Sequence, residues 1–212
     1  MLHVSVETTG CGRTDTGVHA DDFYLHFDWN QGILDVEELF FRLKVRKIEG
    51  IQFKDLFQVR EDAHARFSAR QRSYEYRISD ENNPFQQGLV HIMRKFPDVE
   101  LMNRASKLLL GKQDFECFSR THTQVNSFIC DVREAEWMFS GDLLVFKISA
   151  DRFLRNMVRA IVGSMLEIGE GKKNVSWIAE VLSSKDRKLA GSSAAAQGLF
   201  LTAIKYPEDI KL

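Results

Sequence analysis

"GCGRTDTGVHA", residues 10–20, places three glycines, an arginine, an aspartate and a histidine within eleven positions. Glycine reaches backbone angles closed to other residues, so Gly10, Gly12 and Gly17 can hold Asp15 at the end of a turn. In the following "DFYLHFD", Phe23, Leu25 and Phe27 alternate with other residues, the period of a half-buried strand, so the glycine loop feeds a strand. Taken alone, the loop reads as a structural turn in which Asp15 caps a backbone amide. A metal site built on Asp15 and His19 needs further ligands, and His3, His26, His64, His91 and His122 show no companion spacing. A phosphate cradle fits no better: the glycine spacing is that of neither a P-loop nor a dinucleotide fingerprint, and an acid sits where the anion would bind.

Outward from the loop, strands and helices mix. "LDVEELFFRLKVRKI" sets Val36, Leu39, Phe40 and Leu43 at helical spacing, and "HARFSARQRSYEYRIS" returns to alternation with Tyr74, Tyr76 and Ile78 on one face. A helix beginning after Asp98 as N-cap and ending at Gly111 carries Leu101, Met102, Ala105, Leu108 and Leu109 as its apolar stripe. "ICDVREAEWMFSGDLLVFKIS" predicts two antiparallel strands around Gly141-Asp142, joined by a loop longer than two residues. "RFLRNMVRAIVGSMLEIG" predicts a long helix with Arg152, Arg155 and Arg159 on one face, followed by a short helix at "SWIAEVL" and a closing strand at "LFLTAIKY". Mixed elements with antiparallel connections make the class α+β. The turn-forming "SDENNP", residues 79–84, sets the expected boundary between an N-terminal subdomain, 1–80, and a C-terminal one, 81–212.

The 212 residues are 44% hydrophobic with 16 Phe, enough for a substantial core, and their net charge is −1. Such a chain lacks the overall positive field that gathers nucleic acid, so any RNA binding rests on local patches. Two exist, Arg60, Arg66, Arg70, Arg72 and Arg77 in one stretch and Arg152, Arg155 and Arg159 in another; each also reads as a solvated basic face. No membrane-length apolar run and no leader pattern occur, which predicts a cytoplasmic protein. Cys11, Cys117 and Cys130 are odd in number and widely spaced, which predicts reduced thiols rather than a disulfide framework or zinc knuckle.

Five segments in order, "GRTDTGVHA", "HARFSARQRSYEYRIS", "DFECF", "FLRNMVRAIVGSMLEIG" and "AGSSAAAQGLFLTAIKY", resemble the successive signatures of the tRNA pseudouridine synthase A family, from about Val6 to Pro207. The resemblance implies a pseudouridine synthase fold of two related subdomains, with mixed or antiparallel sheets flanked by helices and an active cleft between them. It implies isomerisation of uridine to pseudouridine at positions 38 to 40 of the tRNA anticodon stem-loop by a cytoplasmic homodimer, with no metal and no cofactor. Such chemistry breaks the glycosidic bond, turns the held uracil and joins its carbon 5 to the ribose. A carboxylate serves this either by attacking a carbon or by assisting elimination.

By the same resemblance Asp15 matches the catalytic aspartate, and Arg159 matches the arginine that pairs with it and favours its ionised form. Tyr74 matches a tyrosine placed against the target base, for stacking and proton removal; Tyr76, on the same strand face, reads as a core aromatic. Arg13 resembles the arginine that fills the space of the extruded nucleotide. Arg66 is a candidate phosphate contact with Phe67 as packing, and Leu199 a candidate apolar wall beside the uracil. Two features depart from the family pattern. Ala194, Ala195 and Ala196 stand where a proline is usual, and the strand, GWQ-type segment and helix that precede the family's GRTD loop are lacking in this sequence. The competing expectation from another class is a non-catalytic RNA-binding module that keeps the fold; a hydrolase using Asp15 and His19 is a third.

Overall fold

The computed structural model describes residues 4–120 and 126–212; His3 and His122 lie outside the described residues. In chain order the strands are β1 (Thr9–Gly10), β2 (His19–Ala20), β3 (Leu25–His26), β4 (Gln71–Ser79), β5 (His91–Ile92), β6 (Gly111–Asp114), β7 (Ile129–Ser140), β8 (Leu143–Ala150) and β9 (Leu199–Lys205). The helices are α1 (Val36–Val45), α2 (Val99–Ser106), α3 (Met157–Gly169) and α4 (Trp177–Ser184). The class is α+β, as the mixture of periods implies.

Two compact units share the chain: Met1–Arg13 with Tyr24–Ala69 and Tyr206–Leu212, and Thr14–Phe23 with Arg70–Lys205. Both are discontinuous in sequence, so a single cut at residue 80 does not separate them. The reason is β4, which hydrogen-bonds β8 on one side and β9 on the other and so belongs with residues far downstream.

In the smaller unit, β1 pairs antiparallel with β3, Thr9 opposite His26. The strand expected over 22–28 is only the two residues of β3. Asp35 caps α1 by accepting from Glu38 N–H at 2.9 Å, and the helix buries Leu39 while Phe41 and Val45 stay exposed. Phe67 is 75% exposed beneath the Arg66 guanidinium, at 5.5 Å from the ring centre, and does not pack into a core as expected.

The larger unit is built on a mixed sheet in the order β2-β9-β4-β8-β7-β6, with β5 added parallel to β4. Here the two-residue period is realised: Tyr76 and Ile78 are fully buried. The β7–β8 hairpin is tighter than expected, Ser140 facing Leu143 across a turn of Gly141 and Asp142 alone. Glycine at φ 58° in the first turn position, with no positive φ at Asp142, gives a type II′ turn whose twist matches its strands. Trp137 of β7 stacks on Phe146 of β8 at 4.7 Å, both within the core.

Helix α2 starts where expected, Asp98 accepting from Leu101 N–H at 3.0 Å. It tightens to a 3-10 turn over Lys107–Leu109, which leaves Leu109 buried and turns Leu108 partly to the surface. Helix α3 begins at Met157, later than its apolar pattern suggests, because Asn156 is left-handed at φ 66°. Arg152 and Arg155 therefore precede the helix and do not share a face with Arg159. From Met157 to Ile168 nearly every residue is buried, the pattern of a helix enclosed by its own unit. The three cysteines are buried free thiols, as expected, and burial pushes Cys117 and Cys130 up to about 12.

These contacts rank two substitutions. Trp137→Ala should cost about 3–5 kcal/mol through the cavity it leaves, and Asp98→Ala about 1 kcal/mol through the lost cap. Urea unfolding followed by circular dichroism checks both the values and their order.

Candidate active site

Asp15 opens a turn closed by Val18 N–H donating to Asp15 C=O at 3.0 Å. Gly17 sits at φ 82°, the positive angle that a type II turn requires at its third position. The chain leaving the turn becomes β2 and pairs parallel with β9, His19 beside Phe200 and Ala20 beside Leu201. The Asp21 amide extends the anchorage to Leu201 C=O at 2.9 Å. His19 stacks on Phe200 at 4.7 Å and its Nε2 hydrogen-bonds Gly88 C=O at 2.8 Å. These contacts hold the imidazole as part of the sheet edge, which removes the physical basis for a hydrolytic Asp15–His19 pair.

Arg159 reaches Asp15 from α3. Its Nη1 donates to Asp15 Oδ2 at 3.0 Å while its Nε donates to Ala194 C=O at 2.8 Å. Arg155 stands at 3.9 Å from Asp15 Oδ1. The Asp15 and Arg159 side chains are 25% and 20% exposed, open enough to meet a ligand and enclosed enough for the pairing to matter. The two residues border a cavity of about 680 Å3 into which Arg120, Arg155 and Arg187 also project, room for a nucleotide.

Segment 190–195 fixes the far end of Arg159. Ala194 N–H donates back to Arg159 C=O at 2.9 Å, and Ser164 Oγ accepts from Gly191 N–H at 2.9 Å. Arg187 donates to Gly191 C=O at 2.9 Å and to Ser193 Oγ at 3.1 Å. Tyr76 Oη donates to Ala195 C=O at 2.9 Å, so the hydrogen bond between Tyr76 and His91 Nδ1 at 3.0 Å has the imidazole as donor. Backbone and side-chain hydrogen bonds thus hold the alanines that stand where the family pattern has a proline. The segment also lies hard against α3: a Cβ on Gly163 would fall 1.7 Å from Ser192 O.

The remaining expected site residues sit as follows. Tyr74, on β4, meets Phe153 edge-on at 5.2 Å. It adjoins a register shift, since Ser73 pairs with Ala203 and Tyr74 with Leu201; such bulges re-aim side chains. Leu199 is buried at the start of β9. Arg13 and Arg66 are exposed residues of the smaller unit. Asp15 and Arg159 are the pair brought into direct contact. The sequence reading missed Asn156, Gly163, Arg187 and Ser193. A glycine in the middle of an apolar helix and an asparagine just before it were the visible signals. Among the described residues no group of three or more His, Cys, Asp or Glu is arranged to hold a metal.

Residues 105–207 match the family described as tRNA pseudouridine synthase. A tRNA pseudouridine synthase A of Parabacteroides distasonis is 41% identical over 210 residues, which span 99% of this chain and 83% of that protein. The chain belongs to this family. The synthase A of Bacteroides thetaiotaomicron is 43% identical over 99% of this chain and 79% of its own length. That of a Geobacillus species is 35% identical over 95% and 82%. The family match includes α3 and β9, hence Arg159 and Leu199, while Asp15 and Tyr74 precede it.

Two outcomes follow from the packing behind the ion pair. Gly163→Ala must push segment 190–195 off α3; stability should fall by about 1–3 kcal/mol, and a crystal structure should show Ala194 C=O displaced from Arg159. His91 is held below its ordinary value by burial, a shift that nearby Glu170 partly offsets. The folded state therefore keeps His91 neutral where the unfolded chain already binds a proton. Its contribution is full above about pH 6.5 and is lost as pH falls through the depressed value. The urea midpoint should drop on acidification below pH 6.5, and His91→Gln should flatten that drop.

Proposed function

We propose that this protein isomerises uridine to pseudouridine in tRNA, with Asp15 as the catalytic carboxylate. The observation that carries the reading is the Asp15–Arg159 pair, seated in an arginine-lined cavity of a chain from the tRNA pseudouridine synthase A family. Relatives across nearly the whole chain named as tRNA pseudouridine synthase A favour an isomerase over a module that only binds RNA.

Arg159 fixes one carboxylate oxygen of Asp15, leaving the other to face the nucleotide. The C1′–N1 bond breaks, the uracil turns in place, carbon 5 bonds to ribose carbon 1′ and then loses its proton while N1 takes one up, so no atom is gained or lost overall. Tyr74 stacks on the base and its hydroxyl assists that last proton transfer, with Leu199 behind it as apolar support. Arg13 occupies the space of the flipped nucleotide and Arg66 meets a phosphate. The target lies at positions 38 to 40 of the anticodon stem-loop, and the working form is a cytoplasmic homodimer, in which two local basic patches act on one tRNA despite the near-neutral chain.

Tritium release from tRNA labelled at uracil carbon 5 tests the assignment. Asp15→Asn should abolish release while tRNA affinity stays within a few-fold, because phosphate contacts dominate binding. Tyr74→Phe should bind normally and turn over about 100 to 10,000-fold more slowly. Full turnover by Asp15→Asn would remove Asp15 from the mechanism.

A further inference from the structure

The cavity beside Asp15 is rich in arginine. Among the described residues, Arg120, Arg155, Arg159 and Arg187 line it together with Asp15. Arg159 and Arg155 are drawn toward Asp15 at 3.0 and 3.9 Å. Arg187 is different: its acceptors are Ala190 C=O, Gly191 C=O and Ser193 Oγ, all neutral, and among the described residues no carboxylate pairs with it. A half-buried cation held rigidly by neutral acceptors at a cavity wall keeps its charge available to a ligand.

Ser193 adds a second donor. Its Oγ accepts from Asn156 Nδ2 at 2.6 Å and from Arg187 Nη2 at 3.1 Å. With both lone pairs engaged, the hydroxyl proton is left to donate outward, at a residue that lines the same cavity. Asn156 is positioned for this by its left-handed backbone, and its side chain makes no capping bond to α3. A fixed guanidinium and an oriented hydroxyl side by side match the oxygens of a phosphodiester.

We propose that Arg187 and Ser193 form the seat for one backbone phosphate of the bound RNA, at a linkage flanking the nucleotide on which Asp15 acts. The proposal rests on the RNA-modifying reading above and deepens it: the seat sets the register of the strand, so that the target ribose arrives at the carboxylate. Arg187 would then orient the loop through its bonds to 190–193 and bind substrate through its remaining donors.

Binding of an anticodon stem-loop RNA tests it, measured with the Asp15→Asn protein so that no turnover intervenes. Replacing single phosphates by methylphosphonate should weaken binding several-fold at one linkage flanking the target uridine. The added substitution Arg187→Gln should weaken binding similarly, make it indifferent to that linkage, and reduce the slope of log affinity against log salt by about 0.7–0.9. An unchanged slope, or a linkage effect that persists in Arg187→Gln, would show that Arg187 only braces the loop and would overturn the proposal. If Arg187→Gln fails to fold, the scan on the arginine-containing protein decides: flat response at both flanking linkages overturns the seat. Tritium release by the wild-type protein separates the two levels. Release with a flat scan defeats the phosphate seat alone, whereas absence of release from any tRNA defeats the isomerase reading.

Discussion

Arg159 ties together segments of the larger unit that are far apart in sequence. One guanidinium joins a carboxylate 144 residues upstream to a carbonyl 35 residues downstream, and neither contact is useful without the other. A partly buried charge is stable only when paired and hydrogen-bonded on its remaining faces. The Ala194 carbonyl supplies that second face. Everything packed behind it then helps hold the ion pair: the missing side chain of Gly163, the Ser164 hydroxyl under Gly191, the Tyr76 hydroxyl on Ala195. A fully buried tyrosine would ordinarily be a packing residue, and here its polar end helps fix the loop segment that aims an arginine.

Net charge hides this arrangement. A chain at −1 has little long-range attraction for nucleic acid, yet the cavity wall concentrates arginines around a single acid. The field is local, so it acts on a ligand that already lies in the cavity more than it recruits nucleic acid from afar.

The parts of the fold legible in the sequence were those with a strong period. β4 alternates because successive side chains of a strand point to opposite faces of its sheet, and α3 is apolar on nearly every face because its own unit encloses it. The Asp98 cap was legible because capping is a local contact. What stayed hidden depended on partners distant in sequence. The pairing of β2 with β9 has no local signature, since two residues carry no period. The bulge beside Tyr74 and the left-handed Asn156 are imposed by their neighbours. Site legibility followed the same division. Asp15 and Arg159 stood out through the family's motifs, whereas Arg187 and Ser193 gain meaning only once segment 190–195 is laid across α3.

The position of β9 has a consequence for how the protein comes into being. It lies between β2 and β4, yet it is made long after both. Until residues 199–205 emerge and insert, β4 lacks one neighbour and the Asp15 turn has no strand to lean on. Pairings between such remote segments close slowly, because the loop entropy must be overcome before the contacts form. A growing chain therefore carries the Asp15 turn well before the strand it leans on has been made. Chains short of residue 205 lack this anchorage, so the completion of the sheet and the fixing of the Asp15 turn are one event.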